Sequence, residues 1–260
     1  MRTRAAAVAG YFYDANPGRL QNHINELLNA ASADIEVVPD ALIVPHAGYV
    51  YSGSTAAYAF RCLLADPDHV KRVLLIGPAH RVYISGMAIP SVDRFATPLG
   101  EVELDRNALD LISGLPGVEV SDEAHREEHS LEVQLPFLQT VLKDFTLVPV
   151  VVGAASADQV ATVIDALADD PHTLIVISSD LSHFLSYREA QRIDSATCAQ
   201  IVAGSTTLSG KEACGARAIN GLMASAAGRS HRVALLHACN YGDTAGTPDR
   251  VVGYAAFALY

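Results

Sequence analysis

Four stretches of this chain are apolar at every position rather than at alternate ones: Ala41 to Val44, Val73 to Ile76, Leu147 to Val152 and Leu174 to Ile177. They predict strands covered on both faces, since a half-exposed strand would alternate. Pro149 weakens the third of these predictions, because proline cannot donate to a ladder. Between the runs, apolar positions recur with helical spacing over Leu20 to Ala31, Thr55 to Leu64, Leu131 to Leu142, Gln159 to Leu167, Ala190 to Val202 and Ala216 to Ala227. Alternating strand and helix predicts an α/β protein: a single three-layer α/β/α domain around a central, mostly parallel or mixed sheet. Val251 to Leu259 reads as the last strand, and no repeat, low-complexity tract or linker divides the sequence. Residues 1–260 are therefore expected to form one domain.

Composition narrows the class. Half of the 260 residues are apolar, enough to build a core without covalent staples. Cys62, Cys198, Cys214 and Cys239 are far apart and make no CxxC pair, so neither a disulfide framework nor a zinc ribbon is suggested, and a reducing compartment fits. Met1 to Ala7 carries two arginines but leads into Gly10-Tyr11-Phe12-Tyr13-Asp14, which is no signal-peptide core. No apolar run reaches the roughly 18 residues of a membrane span. A cytoplasmic protein, neither exported nor membrane-spanning, is expected. The net charge of −11, with 18 scattered Lys and Arg residues, argues against a nucleic-acid partner.

The ten histidines carry more information. Three strand candidates end in polar clusters: Ile43-Val44-Pro45-His46-Ala47-Gly48, Leu75-Ile76-Gly77-Pro78-Ala79-His80 and Ile177-Ser178-Ser179-Asp180-Leu181-Ser182-His183. Ligands of α/β sheets sit outside the carboxyl ends of strands, so these segments are expected to bring His46, His80 and His183 to one crevice. Cys214 precedes a helical stretch, where free backbone N–H groups and the helix dipole would favour a thiolate; it is the cysteine expected to ligate or react. Cys62 and Cys198 sit in apolar helical surroundings and read as core residues, with Cys239 as the rival ligand. In Asp122-Glu123-Ala124-His125-Arg126-Glu127-Glu128-His129-Ser130-Leu131-Glu132, the simple reading is a solvated turn capped by Ser130 or Asp122. The alternative gives His129 a supporting hydrogen bond to a ligand or a substrate contact. Tyr49-Val50-Tyr51-Ser52-Gly53-Ser54 lacks the pattern of a phosphate loop and reads as a turn that caps the next helix and lines the pocket beside His46.

The order of Pro45-His46-Ala47-Gly48-Tyr49, Gly77-Pro78-Ala79-His80, Thr97-Pro98-Leu99-Gly100, Glu128-His129-Ser130-Leu131-Glu132, Ser178-Ser179-Asp180-Leu181-Ser182-His183, Ala213-Cys214-Gly215 and Val252-Gly253-Tyr254-Ala255-Ala256 resembles the MEMO family. Its microbial members are called AmmeMemoRadiSam system protein B. Its fold is similar to that of class III extradiol dioxygenases. The resemblance implies metal ligation by His46, His80 and Cys214, with Asp180 and His183 lining the site. It also implies association with a radical-SAM protein and an AMME-syndrome-type protein. A ring-cleaving enzyme of this class is expected to have a carboxylate where this chain has Cys214, so dioxygenase chemistry does not follow from fold alone. The leading expectation is an Fe(II) oxidoreductase acting on a small chelating or aromatic substrate, with copper or zinc as other candidate metals. In it His183 would be the general acid or base, Asp180 would orient His183 or bind substrate, and His129 and Tyr49 would form the pocket wall. The rival readings are a non-catalytic metal, redox or peptide-binding module, and a cysteine hydrolase with Cys214 as nucleophile and His183 or His80 as base.

Overall fold

The computed structural model describes residues 1–32 and 37–260. The chain begins with β1 (Thr3–Arg4), α1 (Pro17–Ala30), β2 (Ala41–Val44), α2 (Tyr49–Arg61), β3 (Arg72–Pro78), β4 (Met87–Ile89), β5 (Arg94–Thr97) and β6 (Gly100–Glu103). It continues through α3 (Arg106–Ser113), β7 (Val118–Val120), α4 (Asp122–Arg126), α5 (His129–Glu132), α6 (Leu135–Val141), β8 (Thr146–Val152) and α7 (Ala157–Asp165). The last part holds β9 (Thr173–Ser178), β10 (His183–Leu185), α8 (Tyr187–Val202), α9 (Ala216–Ala224), α10 (Ala226–Ser230), β11 (Val233–Asn240) and β12 (Val251–Leu259).

Among the described residues, nine strands make one mixed sheet in the order β10-β12-β2-β9-β3-β8-β4-β7, with β11 on the free edge of β12. The four continuous apolar runs are its centre, β2, β9, β3 and β8, all parallel. Every residue of β2 and β9, and all but the first of β3 and β8, is buried, because helices cover both faces. One helix group, α1, α2, α5 and α6, packs together with α2 on β2, β11 and β12 and α5 on β3; in another, α9 meets β3 and β9 and carries α7 and α10, and α8 lies on β11 and β12. The α/β expectation is met.

Pro149 is tolerated for a geometric reason. The Leu147 carbonyl accepts from Asp105 N–H on the flank away from β3, and strand alternation aims Pro149 to that flank too. There β4 reaches only Val151 and Val152, so no ladder bond needs a Pro149 N–H. The helices follow local chemistry. Asn16 caps α1 ahead of Pro17, and Leu20, Ile24 and Leu28 fall on one buried face, each contributing roughly 2 kcal/mol of burial. Ser156 and Gln159 form a reciprocal capping box on α7.

Several elements depart from expectation. Residues 49–54 are the first turns of α2 rather than a turn before it. The stretch Leu131 to Leu142 holds two helices, with Gln134 as the N-cap of the second. Ser121 caps α4 and Glu128 caps α5, in place of Asp122 and Ser130. The edge strand β11 has a mixed burial pattern with a register shift between Leu235 and His237, so no clean period marks it in the sequence. A small second sheet joins β1 to the β5–β6 hairpin, whose turn is Thr97-Pro98-Leu99-Gly100 with Gly100 at φ +128°. Among the described residues, no helix is long and apolar enough to cross a membrane.

Candidate metal centre

Register aligns the strand ends. Val44 of β2 lies opposite Ser178 of β9, and Ile76 of β3 opposite Ile177, so the residues that leave these strands emerge side by side. His46 follows β2 by two residues and is 2% exposed. Its main-chain N–H donates to Asp180 Oδ1 at 2.7 Å, and its Nδ1 lies 2.9 Å from Ser178 Oγ. The Ser178 hydroxyl already donates to the Ser130 carbonyl, and it accepts from Gln134 Nε2, whose orientation is fixed by the Pro45 carbonyl. With the one hydroxyl hydrogen committed, His46 Nδ1 must carry the proton, and Nε2 presents a lone pair. Burial, helped by His80, lowers the His46 pKa to about 3, so the ring is neutral.

His80 is prepared in a parallel way. Its main-chain N–H donates to Glu128 Oε2 at 2.6 Å, and Nδ1 lies 2.9 Å from Glu128 Oε1. Burial pushes the Glu128 carboxyl upward, but the His80 ring and the N–H groups of Ser130 and His80 outweigh it and hold it at about 2. An ionised carboxylate only accepts, so His80 Nδ1 donates, and Nε2 has no hydrogen-bond partner among the described residues. The same carboxylate accepts from Ser130 N–H at 2.9 Å, which makes one side chain both helix cap and histidine anchor. Gly77 permits the close approach of α5 to β3: a Cβ there would stand 2.9 Å from Leu131 Cδ2 and from Ser130 Oγ.

His129 completes a group of three. One ring nitrogen from each of His46, His80 and His129 lies within 4.8 Å of the others, so the three can hold a metal ion. The His129 ring stacks on His80 at 4.6 Å between centroids, stands edge-on to His46 at 5.4 Å and leans on Phe12 at 4.8 Å. Its Nδ1 is buried and, among the described residues, has no hydrogen-bond partner, although Glu128 Oε1 is 3.4 Å away. Burial first, and then His46, lower its pKa to about 4. An orphaned buried nitrogen beside the neutral His46 imidazole fits a cation better than it fits a closed protein hydrogen-bond network.

Cys214 sits beside His46, with Sγ 3.3 Å from Nε2 and receiving the Asp180 N–H at 3.3 Å. Gly215 makes this contact possible, because a Cβ there would stand 2.6 Å from Ser179 Cβ. The expected resting thiolate is not found. Burial, reinforced by Asp180, pushes the thiol up to about 12, and the N-cap of α9 is Gly215, whose N–H is taken by Ser179 Oγ. Helix-end stabilisation loses to desolvation here. A metal ion coordinated by Cys214 has to displace the thiol proton.

The other candidates separate. His183 lines a cavity of about 610 Å3 together with His80, Cys214 and Lys211. Its Nδ1 is held by the Leu181 carbonyl at 2.8 Å, so the Asp180 carboxylate does not orient it through a hydrogen bond as anticipated; that carboxylate braces His46. Asp180 is buried, and burial raises its pKa despite the bond from His46. Phe184, directly after His183, has φ +60°, a left-handed conformation uncommon for a side-chain-bearing residue. Tyr49 belongs to the core instead of the pocket wall: its ring packs on Tyr13 and Phe137, and its hydroxyl donates to the Val133 carbonyl at 2.7 Å. Cys239 contacts Thr55 on α2 and is not in the three-histidine group. All four cysteines are free.

Sequence reasoning missed Glu128, Ser178 and Gln134, which set the two histidine tautomers. Glu128 left a trace as the acidic residue directly before His129, and Ser178 as the first polar residue after its strand run; Gln134 left none. It also missed Arg4, which forms a buried ion pair with Glu132 and donates to the carbonyls of His125 and Glu128. Glu132 further accepts from Ala7 N–H, Val8 N–H and the Tyr13 hydroxyl, tying the amino-terminal segment to the helices that carry Glu128 and His129. His125 is structural, its Nε2 donating to the Ala88 carbonyl at 2.9 Å.

Residues 4–258 match the Memo-like protein family. The chain belongs to the MEMO family. A MEMO1 family protein of Methanosarcina mazei is 33% identical over 277 residues and aligned over 100% of both chains. A MEMO1 family protein of Aquifex aeolicus is 36% identical over 75% of this chain and 72% of its own length. The "Protein memo-1 homolog" of Caenorhabditis elegans is 38% identical over 70% of this chain, which spans about half (53%) of the worm protein. The matched span includes the segments that bear His46, His80, His129 and Cys214.

Proposed function

We propose that this MEMO-family chain is a non-haem Fe(II)-dependent oxidoreductase, related to class III extradiol dioxygenases, that acts on a small chelating or aromatic substrate. The observation that supports this most is the matched preparation of His46 and His80: each donates Nδ1–H to a fixed acceptor and keeps Nε2 for a cation. In this reading His46, His80 and Cys214 hold the ion, and His129 is a further donor within reach. Iron(II) bound there would supply a Lewis-acidic, redox-active centre with positions open to a chelating substrate. The same donors suit copper or zinc, which makes metal identity the first thing to measure. His183, with Nδ1–H on the Leu181 carbonyl, has Nε2 available to take a proton from a substrate in the cavity it shares with His80 and Cys214. Asp180 holds the His46 main chain in place.

A neutral buried thiol argues against the cysteine-hydrolase reading, because burial and the neighbouring Asp180 carboxyl both disfavour the thiolate. The test is metal analysis of protein purified anaerobically without chelators, wild type beside His46→Ala, His80→Ala, His129→Ala and Cys214→Ala. About one iron per chain, lost in the His46 and His80 variants, is the expected result; wild type that stays metal-free after reconstitution refutes it. His183→Ala then separates an enzyme from a binding module, since it abolishes O2-dependent turnover and leaves the metal in place only if His183 is a catalytic base.

A further inference from the structure

A second cavity, of about 730 Å3, lies against the metal centre and shares Gly210 and Cys214 with the cavity that holds His80 and His183. Its walls mix apolar residues, Val82, Ile84, Val152 and Leu208 among them, with the polar Ser156, Thr206, Ser209 and Asn220, and the largely exposed Tyr83 contributes an aromatic face. In a chain of net charge −11, the described residues of this lining carry a single formal charge, that of Arg217. The Arg217 guanidinium gives one Nη1 bond of 2.8 Å to the Ala155 carbonyl, which also lines the cavity. Its remaining N–H groups have no acceptor among the described residues, and it is in no ion pair there. An exposed arginine pinned by one bond on the wall of this cavity presents a planar fork for a carboxylate or similar oxyanion. The apolar wall residues offer contact to the body of such a molecule, and the polar groups and Arg217 fix its orientation.

We propose that Arg217 is the specificity-determining residue of this site, and that the molecule it selects is a small organic acid with one anionic group held by the guanidinium and a partly apolar body that meets Val82, Tyr83, Ile84 and Leu208. This deepens the proposed function by naming a substrate class, and it rests on the reading of the neighbouring histidine cluster as the place of reaction. Anchoring the anion on α9, three residues after Cys214, directs the rest of the molecule along the shared Gly210–Cys214 wall toward the histidines.

The experiment uses 19F NMR titration of the metal-free full-length protein with 4-fluorobenzoate and, as its uncharged counterpart, 4-fluorobenzyl alcohol. Metal content is irrelevant to this readout, so failure here is separable from failure of the iron assignment. Saturable 4-fluorobenzoate binding is expected, weakened about tenfold or more in Arg217→Gln, as loss of a charge-assisted bond implies. Arg217→Lys, which keeps the charge but not the fork, should fall between, and the alcohol should bind all three proteins alike. A benzoate that binds wild type no better than the alcohol, or binds Arg217→Gln as well as wild type, overturns the proposal. Circular dichroism of both variants confirms that the exposed substitution leaves the fold intact.

Discussion

Replacing Glu128 by glutamine tests whether one buried carboxylate both braces the centre and stabilises the chain around it. Glu128 accepts from His80 Nδ1, His80 N–H and Ser130 N–H, all donors, so an amide NH2 at one of its two positions would face a donor with nothing to accept it. The carboxyl is held at about 2 against an ordinary value of 4.5, and that difference corresponds to about 3 kcal/mol favouring the folded, ionised form. Because the folded value is the lower one, this stability is fully present above pH 4.5 and is lost as pH falls toward 2. Urea unfolding of the metal-free proteins should therefore show Glu128→Gln less stable by about 3 kcal/mol at pH 7, with the gap narrowing between pH 4.5 and 2. Metal affinity, measured by competition with a chromophoric chelator at pH 7, should drop roughly 10- to 100-fold, because His80 loses the acceptor that fixes its tautomer. An unchanged urea midpoint together with unchanged affinity would refute the reasoning, since neither the charge nor the orientation of His80 would then depend on Glu128.

Two further perturbations probe the scaffold. Arg4→Met leaves Glu132 buried with its charge unpaired and should cost roughly 3–5 kcal/mol in denaturant unfolding; a loss under 1 kcal/mol would mean that the Glu132 bonds to Ala7, Val8 and Tyr13 suffice. His125 is buried, and burial lowers its pKa from 6.5 to about 4, so the unfolded chain takes up its proton first and stability falls as pH drops from 6.5 to 4, by about 3 kcal/mol for this one group. His125→Gln, whose amide can still donate to the Ala88 carbonyl, should remove that part of the acid sensitivity, and an identical pH profile would show that His125 does not carry it.

The local code was strong where chemistry repeats along the chain. Uninterrupted apolar runs at 41–44, 73–76 and 174–177 can only be satisfied by cover on both faces, so they marked the parallel centre of the sheet, and His46 and His80 were placed at its carboxyl edge by the residues that end those runs. Where the period is broken, as in β11, or where a proline sits on the open flank of a strand, as at Pro149, the pattern under-reports what tertiary pairing supplies.

What the sequence determined by itself was the layer architecture, the strand ends and the kind of donors gathered there, because burial of an apolar run and the chemistry of imidazole are properties of short segments. Tertiary structure alone decided how those donors are poised. Glu128 reaches His80 across 48 positions, Cys214 reaches His46 across 168, and Tyr49, three residues from His46, turns into the core. The protonation of Cys214 was decided in the same way: a helix start suggests a thiolate, but desolvation acts on the finished environment, and it wins.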